Sequence, residues 1–292
     1  MKKFNLFTIA VLLALLATSC SKEEGRFSLV ANQMRSHSKI LMNDAYNGSW
    51  VAGEKVLLNG VGRTIAVEDD KYYLDGDAPV SGTPYQAIYP FITGGSDADG
   101  NVVSIVGNTM TITNLVVDFV TGGYKVMFPM ASSSVEATSS GCRLLFDHAT
   151  AALKLTLKNK NMSEGCTLSS IKVFTQASST VTPLSTNSVT ALWKVQGPSV
   201  PVGEIGGING DQTISNGCEM NFTLKTNNVP NKLFEKDTPV SFCVPVTVNK
   251  LNKISVIGYD QDGKQVFTRT KELGSDQTIN ANIIYPVPTI EF

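Results

Sequence analysis

Two histidines, His37 and His148, are the whole imidazole inventory of this 292-residue chain, so acid–base chemistry near neutral pH has few places to reside. His37 sits in the polar run Ser36-His37-Ser38, where a solvated ring is expected. His148 follows Asp147, a neighbour that could orient an imidazole in a catalytic unit. No G-x-S-x-G, H-E-x-x-H or P-loop pattern accompanies it to supply a nucleophile, a metal or a phosphate cradle. No catalytic residue is therefore assigned, and the chain is not read as an enzyme. The run Asp97-Ala98-Asp99-Gly100-Asn101 places oxygen ligands at alternate positions, as a calcium loop begins, but the later bidentate glutamate is missing. The same residues are ordinary turn formers, and a turn is the expectation. Neither a metal site nor a cofactor is assigned. Apart from Cys20, the thiols are Cys142, Cys166, Cys218 and Cys243, with no C-x-x-C spacing among them. In an exported protein four cysteines can pair in three ways. They can equally remain as small apolar core side chains, a role that suits Cys243 inside V-S-F-C-V-P-V.

An exported protein is what the N-terminus predicts. Met1, Lys2 and Lys3 precede an uncharged run over residues 6–17, the order of a signal peptide. The apolar run is about a dozen residues, short of the roughly 20 that span a bilayer, so residues 1–19 are expected to be removed. Leu16-Ala17-Thr18-Ser19-Cys20 resembles the lipobox of bacterial lipoproteins, with Ala17 a mild departure from the usual leucine. The resemblance implies cleavage before Cys20 and lipidation of its thiol. Several acyl chains hold where one is marginal, each buried methylene contributing about 0.8 kcal/mol. Ser21-Lys22-Glu23-Glu24 cannot pack, so residues 20–26 form a solvated tether. The charged stretch also resembles the acidic export tag that carries lipoproteins to the outer face of the outer membrane.

Lys and Arg total 24 against 25 Asp and Glu, for a net charge of −1, and no basic cluster offers a footprint for nucleic acid. The mature chain reads as many short segments rich in Val, Ile, Thr, Tyr and Phe, separated by Gly, Pro, Asn, Asp and Ser. Strands are predicted over 27–34, 63–67, 85–91, 102–106, 110–113, 125–130, 144–147, 153–158, 171–176, 220–225, 240–248, 253–259 and 265–271. The last two should form a hairpin through Asp260-Gln261-Asp262-Gly263. No sustained helical stripe occurs, so the fold class is all-β, in β-sandwiches. About 270 mature residues exceed one typical domain. The Ser-rich stretch over 132–141 suggests a division into residues 27–136 and 137–292. The Gly-rich stretch over 197–217 is expected to be a long loop.

Thr83-Pro-Tyr-Gln-Ala-Ile-Tyr-Pro-Phe91, Tyr124-Lys-Val-Met-Phe-Pro-Met-Ala131 and Arg143-Leu-Leu-Phe-Asp-His-Ala-Thr-Ala-Ala-Leu-Lys-Leu-Thr-Leu-Lys-Asn159 follow one another in an order and spacing that resemble the fimbrillin-like proteins. The closing Asn280-Ala-Asn-Ile-Ile-Tyr-Pro-Val-Pro288 is similar to their last strand. The resemblance implies two transthyretin-like β-sandwich domains in tandem and a structural subunit of a cell-surface fimbria. It implies an outer-membrane lipoprotein whose partners are other fimbrial subunits and host surface proteins or glycans. It also implies assembly in which a protease removes an N-terminal strand and another subunit's strand takes its place.

In this sequence the strand to be displaced is expected at 27–34, with Phe27, Leu29 and Ala31 facing one way. Arg35 and Lys39, in the polar stretch that follows, are the expected processing sites. Arg26 is a poorer one, because a cut there leaves the strand in place. Residues 279–292 are the expected donor, although Pro286 and Pro288 remove two ladder donors. A surface adhesin or glycan-binding lipoprotein that does not polymerise is the alternative, and its aromatic platform would come from Trp50, Trp193, Tyr72 or Tyr73.

Overall fold

The structure, a computed structural model, describes residues 25–31, 35–36, 50–107, 109–162, 164–179, 181, 184–185, 194–196, 199–200, 203–205, 212–214 and 217–292. Cys20, His37, Lys39 and Trp193 lie outside the described residues. The strands that carry the fold begin with β1 (Arg26–Ala31), β2 (Arg35–Ser36), β3 (Lys55–Leu58), β4 (Val61–Glu68), β5 (Lys71–Leu74) and β6 (Ala87–Tyr89). There follow β7 (Val102–Val106), β8 (Thr109–Val120), β9 (Gly123–Lys125), β10 (Met130–Ser132), β11 (Gly141–His148) and β12 (Ala151–Lys158). The remainder are β13 (Ser170–Gln176), β14 (Gly217–Thr226), β15 (Pro239–Val246), β16 (Lys250–Tyr259), β17 (Gln265–Thr278), β18 (Ile283–Pro286) and β19 (Ile290–Glu291). The fold is all-β, as the alternation of apolar and turn-forming residues dictates.

Seven strands hydrogen-bond in the closed order β1-β11-β10-β6-β3-β4-β5, with β5 returning to β1. The side-chain period of two shows in β11, where Cys142, Leu144, Phe146 and His148 are buried while Arg143 and Leu145 face outward. Of these, Cys142, Leu144 and Phe146 join Phe27, Leu29, Trp50, Val56, Ile65 and Tyr89 in one core. Trp50 is wedged edge-on between Tyr89 and Phe146, at ring distances of 5.1 and 4.8 Å.

The second packed unit is a sandwich. One sheet runs β8-β14-β13-β16-β17 with β7 added to β8, and the other runs β2-β18-β12-β15 with β19 added to β12. Between them lie Leu153, Leu155 and Leu157 of β12, Ile171 and Val173 of β13, Phe222 and Leu224 of β14, and Phe242 and Val244 of β15. Neither unit is a continuous stretch of chain. β7 and β8 leave the first ring and pair in the second unit, Asn114–Phe119 running parallel to Asn221–Thr226, before the chain returns for β10 and β11.

The hairpin expected at 260–263 forms between β16 and β17. The Asp260 carboxylate accepts hydrogen bonds from the amides of Asp262 and Lys264, and Gly263 takes the positive φ of 74° that the reversal demands. At the end of this hairpin nearest the turn, Gly258 lies under the ring of Phe267, which stacks on Phe292 with centroids 4.2 Å apart. A Cβ at Gly258 would stand 2.3 Å from a Phe267 ring carbon. Gly258→Ala should therefore destabilise by about 1–3 kcal/mol through overpacking. Gly123→Ala, where the added carbon meets nothing within 4 Å, should be near neutral. Urea unfolding of the two variants beside the parent protein checks the contrast.

Candidate functional site

The candidate site is the seat of β1. On one side β1 runs parallel to β11 through six residue pairs, from Arg26↔Gly141 to Ala31↔Phe146. On the other side a single pair, Ser28↔Tyr73, joins it antiparallel to β5. The strand is thus not an edge: it is the stave that closes the ring, with one long seam and one short one. Phe27 and Leu29 point into the core, 2% and 5% exposed, and Phe27 meets Tyr85 edge-on at 4.7 Å. Burying two such side chains contributes about 3–6 kcal/mol. Ala31 continues the backbone pairing opposite Phe146.

The outer face of the short seam is held by side chains instead of backbone. Arg26 Nη1 lies 2.7 Å from Glu68 Oε2, and the guanidinium stands over the Tyr73 ring, 5.2 Å from its centroid. Both charged groups are well exposed, so the ion pair adds at most about 1 kcal/mol, with the cation–π contact adding a similar increment. By sequence alone Arg26 falls in the tether. What reveals its role is Glu68 and Tyr73 across the seam, some 40 residues away along the chain.

Arg35 begins β2, whose two residues lie parallel to β18 through Arg35↔Ile283 and Ser36↔Ile284. β1 thus belongs to the first ring, and β2 to the outer edge of one sheet of the second unit. A protease acting after Arg35 would have to peel away a two-residue pairing, a small barrier. The expected donor is placed differently. Ile290 and Phe292 are 0% and 1% exposed, and Phe292 packs between Phe234 and Phe267. Lending residues 279–292 to another subunit would break this chain's own core, a cost the sequence did not disclose.

Two of the edge strands described in the second unit, β15 and β17, are protected. On β15 the amide of Cys243 donates to the Tyr124 hydroxyl at 2.9 Å, so the backbone groups of alternate residues 239, 241, 243 and 245 face away from β12. Pro239 and Pro245 remove two of those outward donors, and Tyr124, presented by β9, satisfies a third. On β17, Arg269 pairs with buried Val256 and Lys271 with buried Ile254, so both charges sit on the core-side face of the strand. Inward charges of this kind block an approaching strand.

Other chemistry-bearing groups among the described residues have structural roles. The Asp97 carboxylate accepts bonds from the amides of Asp99 and Asn101 and from the Asn101 side chain, forming the expected turn. Asp99 pairs with Lys225 at 3.3 Å. The Tyr89 hydroxyl donates to Glu54 at 2.8 Å, and burial raises the pKa of both groups. Cys142, Cys166, Cys218 and Cys243 are buried thiols, not disulfide-bonded. Of the expected aromatic platform, Trp50 and Tyr73 are only 6% and 5% exposed, and Tyr72 is half-buried against the first core.

His148 closes β11, 3% exposed and edge-on to Phe128 at 5.8 Å, with no hydrogen-bond partner for Nδ1 among the described residues. Burial lowers its pKa from 6.5 to about 4, with Asp147 pulling the other way. The unfolded chain therefore takes up this proton first as the pH falls. The contribution of neutral His148 to stability is whole above about pH 6.5, declines down to about pH 4 and is flat below. At about 1.4 kcal/mol per pKa unit, the loss is about 3 kcal/mol. Urea midpoints of the parent protein and His148→Gln at pH 7, 5.5 and 4 should diverge by that slope, the variant lacking this component of acid sensitivity.

No protein-family model matches this chain, and no curated protein matches it. Among solved structures, it is similar to a "putative cell adhesion protein" of Bacteroides ovatus, at 11% identity over 90% of this chain and 91% of that chain with a TM-score of 0.41. A protein so described from Bacteroides fragilis is 13% identical over 90% and 91%, with a TM-score of 0.41. One from Bacteroides thetaiotaomicron is 13% identical over 92% of each chain, with a TM-score of 0.30.

Proposed function

We propose that this chain is a lipid-anchored cell-surface adhesion protein and a structural subunit of a fimbria, attached through Cys20 and assembled by strand exchange once a protease has removed β1. The observation that carries the reading is the asymmetric seat of β1, with six backbone pairs to β11 and one to β5. Its departure leaves unpaired N–H and C=O groups along Gly141–Phe146 beside a groove vacated by Phe27 and Leu29, a template for an extended strand of another chain. The protected edges of β15 and β17 are consistent with this reading, since they disfavour strand addition at those two strands. Support also comes from the order of motifs resembling fimbrillin-like proteins between Thr83 and Pro288. Because Ile290 and Phe292 complete this chain's own core, the incoming strand is assigned to a different subunit.

Arg35 and Lys39 are the processing sites in this reading, and Arg26 is not, because its guanidinium is engaged with Glu68 and Tyr73. Cells that naturally express the protein should display it as a ladder of detergent-resistant species on gels run without boiling. The double variant Arg35→Gln, Lys39→Gln should run as the monomer. A parent protein that stays monomeric at the surface, or a ladder that persists in the double variant, would contradict processing at these residues. The first of those outcomes would favour an adhesin that does not polymerise.

A further inference from the structure

We propose that a polar cleft on the second unit, remote from the β1 seat, binds a neutral saccharide. The cleft is an open surface depression with a volume of about 290 Å³, lined by Gln176 at the end of β13, Ser178 just beyond it, Asn252 and Lys253 on β16, and Glu272 and Gly274 on β17. It exists because β16 and β17 slip register between Leu251 and Lys253, which opens the sheet surface beside the strand end. Hydrogen bonds and an ion pair link the wall residues. The Asp276 carboxylate accepts hydrogen bonds from the amides of Ser178 and Ser179 and from the Ser179 hydroxyl. The Asn252 side-chain amide donates to the Ser178 hydroxyl. Lys253 and Glu272 face each other across the strands at 3.1 Å.

The uncommitted groups define the ligand class. The Gln176 carboxamide has no hydrogen-bond partner among the described residues, so it offers a donor and an acceptor side by side. Among the described residues the Asn252 carbonyl oxygen, the second Glu272 oxygen and the remaining Lys253 protons have no further partner. One cation and one anion cancel, so the cleft does not select a charged ligand. Ser, Asn and Gln with so little apolar lining do not suit a lipid or an apolar peptide. Vicinal hydroxyls are matched by adjacent donors and acceptors of this kind, and the volume is close to the lower bound of small-ligand sites. Among the described residues no aromatic ring lines the cleft, so affinity there rests on hydrogen bonds and should be in the millimolar range, with many copies on one surface, as the proposed function implies, supplying avidity.

Ligand-observed saturation-transfer NMR on the uncleaved chain is the suitable test, because it does not depend on β1 leaving. The probes are glucose, galactose, mannose, fucose, N-acetylglucosamine and N-acetylgalactosamine, with glycerol and sodium sulfate as competitors. At least one sugar should show transfer, and Gln176→Ala and Glu272→Gln should each weaken it about tenfold with unchanged melting temperatures. The proposal is overturned by absence of transfer to every sugar, by transfer unaltered in both variants, or by displacement with glycerol or sulfate as effective as with sugar.

Discussion

The first unit depends on one piece of pairing, the parallel ladder between Arg26–Ala31 and Gly141–Phe146. Without it the order β11-β10-β6-β3-β4-β5 is an open sheet that ends in two bare edges, with a core missing Phe27 and Leu29. Because parallel strands need a long connection, the ladder joins segments more than a hundred residues apart, and the ring closes only when both have been made. A strand near the start of the chain that finishes a core otherwise built from later residues can be removed with little covalent consequence. That is the physical basis for reading β1 as replaceable.

Closure also has a weak side, and the sequence places its chemistry there. One backbone pair at Ser28 and Tyr73 leaves the short seam to Arg26, Glu68 and the Tyr73 ring, interactions that water and salt weaken. The long seam lies in contact with β11, whose alternate side chains also anchor Trp50 and Met130. The strand would therefore part from β5 before it parts from β11. Elsewhere exposed backbone is dealt with by other means: proline at 239 and 245, the Tyr124 hydroxyl at 243, and inward charge at 269 and 271.

Local features were readable in the sequence, and long-range ones were not. The all-β class, the Asp260–Gly263 reversal and the turn around Asp97 follow from residue types whose preferences act over a few positions. The inward alternation of Phe27 and Leu29 follows from the period of two. Nothing local indicated that β8 would leave the first unit to lie parallel to β14, since that pairing is decided by which apolar faces meet in the core. Nor could spacing show that Trp50 and Tyr73 would be covered, or that Phe292 would stack on Phe267 and tie the last strand into its own sandwich. Arg26 shows the same limit, because its partners Glu68 and Tyr73 are neighbours only after the ring has closed.

The central claim is that β1 is a separable strand completing an otherwise formed ring, and complementation in trans tests it most directly. A chain starting at Ser36 would be titrated with a synthetic peptide of residues 25–35, following intrinsic tryptophan fluorescence and the melting temperature. The account predicts one-to-one binding that restores the parent melting temperature, and about 1.5–3 kcal/mol weaker binding for each of the peptide variants Phe27→Ala and Leu29→Ala. A shortened chain with parental stability and no affinity for the peptide would contradict it.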